Sequence, residues 1–278
     1  LPSRLPPTVL RWIDQAFIAG RAQADFALRG ALREFPYDHG EGEFLIKVNF
    51  NDGVLDYAPG WPLLTDASGQ VVFAGVAMYS RRNALTISDI KVRQADVMMR
   101  DMRDGVLTAK GSGQTDVSNV LTFLQASPVG DALGPVFDDV HGSGEVSATL
   151  ELQLPVKNLK EWQLDANFTA ENVSLGLEGL GPEFTNLRGA GTLHNTRITV
   201  PAAEADLLGK PVNISVRPAL AEETDFSHRA DVTGVMQLGK FWNAFVLPAT
   251  DFFVGDVAVD AQALFPVAGQ EEALPFRL

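Results

Sequence analysis

The sequence predicts a mostly β chain with a few short helices, built as an elongated, repetitive antiparallel sheet, and three observations carry that prediction. The first is alternation. In the stretch GEVSATLELQLPV, residues 144–156, Val146, Ala148, Leu150, Leu152 and Leu154 alternate with Glu145, Ser147, Thr149, Glu151 and Gln153. A period of two sends every apolar side chain to one sheet face and every polar one to the other. The second is recurrence. The stretch GDVAVDAQALFPV holds the same phase with Val257, Val259, Ala261, Ala263 and Phe265, and Gly144 and Gly255 lie 111 residues apart, as do Pro155 and Pro266. A looser copy runs from Gly20 to Pro36, with Ala24, Phe26, Leu28 and Leu32 in phase and Gly30 taking one slot. The third is what precedes each copy. Val9, Trp12, Ile13 and Ala16, then Val117, Val120, Leu121 and Leu124, then Leu238, Phe241, Trp242 and Phe245 follow the spacing of an amphipathic helix stripe.

A repeat of more than a hundred residues exceeds solenoid periods, so each unit must hold a helix and several strands. The modules expected are 8–115, 116–236 and an incomplete 237–278. The middle copy is longer between helix and strand, and its surplus, Gly130 to His141, reads as an extra short helix.

Taken in order, Thr8 is placed to cap the first helix and Gly20 to end it. Phe44, Ile46, Val48 and Phe50 share one face of the next strand, with a turn expected at Asn51-Asp52-Gly53 and a further strand from Val54 to Tyr57. Gly69 to Met78 and Leu85 to Val92 read as a hairpin around Tyr79 to Asn83. The second module repeats this order. Gln163 to Ala170 answers the Phe44 strand, with Asn167 and Phe168 on Asn49 and Phe50; Gly181-Pro182 falls on Trp61-Pro62, and Gly189 to Leu193 on Gly69 to Phe73. Strands at Arg197 to Val200, Pro211 to Val216 and Ala230 to Leu238 lead to the third helix.

Composition narrows the function classes. With 46% hydrophobic and 21% charged residues in 278, the chain is that of a folded protein. A net charge of −13 without a lysine or arginine run argues against nucleic acid or an anionic membrane surface as partner. No cysteine is present, which removes disulfides, thiol catalysis and cysteine metal sites. The apolar stretch from Phe241 to Val254 is broken by Asn243, Pro248 and Asp251, short of the roughly 18 to 20 residues that span a bilayer. The absence of an initiator methionine and the strand-like ending LPFRL read as a piece of a longer protein.

The search for reactive constellations yields no catalytic, metal or cofactor site. His39, His141, His194 and His228 never take metal-helix spacing and read as surface or turn residues. His141-Gly142-Ser143-Gly144 precedes a strand where a nucleophile elbow needs a helix, and Gly111-Ser112-Gly113 reads as a turn without a phosphate-binding lysine. Asp138-Asp139 and Glu222-Glu223 read as solvated turns rather than calcium ligands or glycosidase carboxylates. Of the four tryptophans Trp12, Trp61, Trp162 and Trp242, two lie on apolar helix stripes and read as core.

Many strands with one apolar face and few helices must cover that face. Two solutions stand open at this level: a filled sandwich or barrel, or a half-open groove occupied by an acyl chain.

The order of features resembles the AsmA-like envelope proteins, in their long YhdP-type branch. The residues that carry the likeness are Trp12 to Gly20; Gly30, Phe35 and Pro36; Gly40, Gly42 and Phe44; Tyr57, Trp61 and Pro62; Phe123, Leu124, Ser127 and Pro128; and Leu152, Leu154 and Pro155. The resemblance implies an antiparallel sheet curled into an apolar groove and no enzymatic activity. It also implies the periplasmic portion of a protein of a Gram-negative bacterium, anchored in the inner membrane by a helix outside this chain, that moves phospholipid toward the outer membrane. The candidate groove residues are then Phe26, Leu28, Phe44, Ile46, Val48, Phe50, Val146, Leu150, Leu152, Leu154, Phe168, Val257 and Val259. The competing function class is a structural or carbohydrate-binding envelope module with a filled core, recognisable by exposed aromatics instead of a continuous aliphatic face.

Overall fold

Strands form where the sequence alternates, and they hydrogen-bond in the order in which they are read. The computed structural model describes residues 7–37, 40–134, 138–178, 181–223, 225–245, 254–267 and 276–277. Helix α1 (Pro7–Ala16) leads into β1 (Phe17–Arg29), β2 (Glu43–Leu55), β3 (Leu64–Ala74), β4 (Ala77–Ile87), β5 (Ile90–Met99) and β6 (Val106–Asp116). Helices α2 (Val117–Gln125) and α3 (Pro128–Leu133) precede β7 (Val140–Pro155), β8 (Gln163–Leu177), β9 (Phe184–His194), β10 (Arg197–Leu207), β11 (Lys210–Pro218) and β12 (Phe226–Gln237). Helix α4 (Leu238–Phe245), β13 (Asp256–Pro266) and the two-residue β14 (Phe276–Arg277) follow. Among the described residues the fold is mostly β, a single antiparallel sheet in chain order in which β1 and β14 are not neighbours.

The chain divides into two compact units, one of Leu1–Gln114 with Thr149–Asp165 and one of Thr115–Ala148 with Ala166–Leu278. In the first, Ala24, Val48, Val71, Ser80, Val97 and Ala109 form one register row from β1 to β6. Phe26, Ile46, Phe73, Met78 and Met99 form the row two residues away, on the same face. In the second, Ala205, Val212, Gly234 and Val259 stand in one row, and Val200, Val216, Ala230 and Ala263 in another. Glu204, Asn213, Thr233 and Asp260 fill the intervening row on the opposite face. Cross-strand neighbours of like polarity on each face are what fix this register, since a slip by one residue would turn every apolar group to water.

Left-handed residues punctuate the strands at a constant spacing. Asp52, Asp66, Gly75, Ser88 and Asp89 have positive φ, and so do Asn172, Asn186, Asn195, Leu208 and Gly209, each 120 residues later. Ser88-Asp89 and Leu208-Gly209 are the paired positive-φ residues of two-residue hairpin turns, with Ile87 opposite Ile90 and Leu207 opposite Lys210. Their twist matches that of the flanking strands. Asp52 marks a bulge in β2, where the register shifts between Phe50 and Gly53, and Asn172 holds the matching place within β8. Phe168 therefore answers Val48 rather than Phe50, a correction of two residues that leaves it on the same face.

Several expected boundaries move for the same reason. Asn51-Asp52-Gly53 is not a turn but a bulge inside β2, which continues to Leu55. The hairpin expected around Tyr79 to Asn83 is replaced by turns at 75–76 and 88–89, and Tyr79 to Asn83 lie within β4. Gly111-Ser112-Gly113 belongs to β6, with Ser112 opposite Gln94. Strand β10 continues past Val200 to Leu207. Helix α1 ends at Ala16, with Thr8 inside it, and Gly20 lies in β1, where a Cβ would come within 2.9 Å of the Gly53 Cα. Gly20 thus serves the close approach of β1 to the β2 bulge, not a helix end. Part of the surplus in the middle copy is helical, as α3.

Candidate functional site

The described residues contain no group of three or more histidine, aspartate or glutamate side chains placed to hold a metal ion. Nor do they contain a helix long and apolar enough to cross a membrane. His141 lies on β7, 3.2 Å from Glu183 in an exposed pair. His39 lies outside the described residues. His228, expected at the surface or in a turn, is only 2% exposed within β12. Its ring is engaged on both nitrogens, by the Ile198 N–H at Nε2 and by Ser227 Oγ at Nδ1. The adjacent acids Asp138 and Asp139 are exposed, and Glu223 accepts from the Leu220 N–H in a local turn.

What the sheet does present is one apolar face in each unit, covered unevenly. Of the candidates on it, Phe44, Val146, Leu152 and Leu154 are buried, Ile46, Val48, Phe50, Phe168, Val257 and Val259 are half-buried, and Phe26, Leu28 and Leu150 are exposed. Phe26 is 63% exposed although its ring meets buried Phe44 on the adjacent strand, and Leu150 is 41% exposed although it shares strand phase with buried Leu152 and Leu154.

Two devices cover the rest. In the second unit Val117, the first residue of α2, packs with Val146 and Val173, and Phe168 lies against that cluster. Asp116 anchors this helix: Oδ1 accepts from the Ser118 N–H at 2.9 Å, and Oδ2 from the Gly144 N–H at 2.8 Å. These bonds hold its carboxyl below the usual aspartate range. Farther along, Ala205, Leu207, Val212 and Met236 form a buried cluster against which Val257 and Val259 pack.

In the first unit the segment after β1 folds back over the face. The Phe35 ring meets Phe44 edge-on at 5.2 Å, Phe26 meets Phe44 at 6.1 Å, and the Tyr37 ring occupies the space a Cβ on Gly30 or Gly42 would need.

The first unit is also curled. Its β2–β3 loop lies at the end of the strands where β1 starts, since Phe17 pairs with Leu55. The β7–β8 connection lies at the other end, because the Val156 N–H donates to Gly105 O just before β6. Yet Trp61 from the loop and Trp162 from the connection meet edge-to-face, ring centroids 5.7 Å apart. In a flat sheet a strand of eleven residues would keep these ends about 35 Å apart. Strand twist of roughly 20–25° per step, accumulated over the strands between, brings them together.

Residues that alternation alone did not nominate complete the face. Val71, Phe73, Met78, Val97 and Met99 in the first unit, and Val200, Val212, Val216 and Met236 in the second, stand in the apolar rows. The recurring asparagine, aspartate and glycine positions at a spacing of 120 were the signal that would have found them.

An antiparallel sheet read in chain order, apolar on one face and polar on the other and punctuated at a spacing of 120 residues, defines a repeat-built β-sheet protein. The chain belongs to the YhdP family, whose model, described as YhdP protein, matches residues 1–277. It is similar to the intermembrane phospholipid transporter YhdP of Escherichia coli (strain K12), 22% identical over 204 residues. That alignment covers 73% of this chain and 16% of the relative, so the match spans about a sixth of the relative's length. No solved structure matches.

Proposed function

We propose that this chain is a lipid-carrying module in which the acyl chains of a phospholipid lie along the apolar sheet face, as part of a protein that transfers lipid between inner and outer membrane. The observation that carries the reading is the exposure of Leu150 in the phase of buried Leu152 and Leu154 on β7, together with that of Phe26 and Leu28 beside buried Phe44. Apolar area left open in this way is stabilised by an apolar occupant at about 25 cal/mol per Å² removed from water. The relative described as an intermembrane phospholipid transporter supports the choice of cargo. So does the state of the tryptophans: Trp61 is 7% exposed and packs on Trp162, and the Trp12 indole N–H donates to Tyr57 O at 2.7 Å. Aromatics committed in this way are not free to stack on a sugar. Modules of 8–115, 116–236 and 237–278 would each contribute a stretch of the face. The protein would act in the periplasm, held to the inner membrane by a helix outside this chain, with no chemical step.

Photo-crosslinking tests this. A benzoylphenylalanine at position 26 or 150 is expected to capture phospholipid when the protein is incubated with phospholipid vesicles and irradiated, and one at outward-facing position 149 is not. Equal labelling at 149 and 150, or none at 26 and 150, would overturn the reading.

A further inference from the structure

We propose that Tyr57, Trp61 and Trp162 form an aromatic clasp across the apolar face of the first unit, and that the clasp must part for an acyl chain to move along that face. The inference rests on the lipid-carrying reading above and adds a control point to it.

The clasp is built from both ends of the sheet. Trp162 has the strand phase of Leu164, Ala166 and Phe168, the apolar phase of β8, and Tyr57 continues the phase of Gly53 and Leu55 at the end of β2. Trp61 bridges them, 6.0 Å from the Tyr57 ring and 5.7 Å from the Trp162 ring. Because the β2–β3 loop and the β7–β8 connection come from opposite strand ends, their contact crosses the sheet face rather than running along an edge. Trp12 fixes the near side from α1 through its bond to Tyr57 O. The loop is otherwise closely held: Ala58 is 2% exposed, and its carbonyl accepts from the Trp61 N–H at 3.1 Å.

The chemistry of the contact suits a gate. Trp61 meets Trp162 edge-to-face and Tyr57 at a tilt of 50°, and an aromatic pair adds about 0.5–1.5 kcal/mol beyond area burial. Breaking one pair is compensated when a methylene chain slides against the same rings. Burial, and next to it the charge of Asp56, push the Tyr57 hydroxyl well above its usual range. The phenol is thus neutral across the working pH range, and its ring offers an apolar surface to an acyl chain.

The chain has no cysteine, so the double variant Trp61→Cys/Trp162→Cys offers one pair of thiols to a short bismaleimide with a reducible linker. Loading is read as uptake of a phospholipid with a fluorescent acyl chain from vesicles. The unbridged variant is expected to load at least as fast as the wild type, the bridged one to fall to the level of a protein-free control, and reduction of the linker to restore uptake. A bridged protein that loads like the unbridged one overturns the clasp while leaving the lipid reading standing. A wild type that takes up no phospholipid overturns both. Should the double variant not fold, the wild type alone decides. Loading is expected to weaken the far-ultraviolet exciton couplet of the Trp61–Trp162 pair. An unchanged exciton signal in the loaded protein overturns the clasp.

Discussion

The Nε2 atom of His228 accepts a hydrogen bond from the backbone N–H of Ile198 at 2.8 Å, which ties β12 to β10 across the end of the strand between them. The bond fixes the tautomer. Nε2 must be bare, so the ring proton sits on Nδ1 and points to Ser227 Oγ at 3.1 Å, and that hydroxyl donates to Phe265 O at 3.2 Å. Three strands are joined through one neutral imidazole. Its cross-strand neighbours Pro218 and Phe265 carry no charge, and the adjacent Arg229 pairs with Asp231 on the other face.

Stability is therefore expected to depend on pH through this residue. Burial lowers the His228 pKa below its ordinary 6.5. With the folded value depressed, the unfolded chain takes up the proton first, so the contribution is complete above about pH 6.5 and is lost as pH falls toward the folded value. The slope from one such group is no steeper than about 1.4 kcal/mol per pH unit. Denaturant titrations between pH 7.5 and 5 should show this loss in the wild type and a flatter profile in His228→Gln, whose amide oxygen can still accept from Ile198. Parallel profiles for the two proteins would show that another group governs the acid limb.

A second expectation concerns Phe168. A Cβ at Gly191 would lie 2.5 Å from Phe168 Cζ and 2.8 Å from Thr199 O, so the ring lies over a glycine that makes room for it. Gly191→Ala should destabilise the second unit by about 1–3 kcal/mol through overpacking. Phe168→Leu removes the ring, and the pair of substitutions should be less destabilising than the sum of the two alone, as expected for contacting residues. A thermodynamic cycle by urea denaturation checks this, and strict additivity would mean that the ring does not rest on Gly191.

How much of this was legible in the sequence follows from where the period of two survives. From Val146 to Leu154 nothing interrupts the alternation, and the strand, its faces and its recurrence at Gly255 could be read directly. In β4 the period breaks, because Ser80 and Asn83 both face inward with two residues between them. The buried pair is satisfied locally, Asn83 donating to Ala95 O at 2.8 Å, and the bulge it supports made Tyr79 to Asn83 look like a turn. The outward row then carries apolar Val72, Tyr79 and Met98, which inverts the expected signal. In β10 the second half hid behind Pro201 and a register shift, with alanines in place of large apolar groups. The Trp61–Trp162 contact joins residues 101 positions apart in the sequence. No local pattern encodes it, because it results from twist accumulated over several strands.

The sharpest test of groove against packed core compares two leucines on one strand face. Leu150 is 41% exposed and Leu154 is 0% exposed, four residues further along β7. An aspartate at 154 must be buried unpaired or protonated, at several kcal/mol, on top of about 1.5–3 kcal/mol of lost leucine burial. That sum consumes much of the roughly 5–15 kcal/mol by which domains are stable. An aspartate at 150 keeps its water and forfeits only part of the leucine's burial, so the loss should stay below about 2 kcal/mol. Leu150→Asp is thus expected to keep a near-native circular dichroism spectrum with a small fall in Tm, while phospholipid retained after mild purification drops clearly. Outward-facing Thr149→Asp should change neither, and Leu154→Asp should unfold the first unit. If Leu150→Asp unfolds the protein as Leu154→Asp does, the face at this point is packed core. If it leaves both stability and lipid content untouched, Leu150 is a surface leucine and no lipid passes over it.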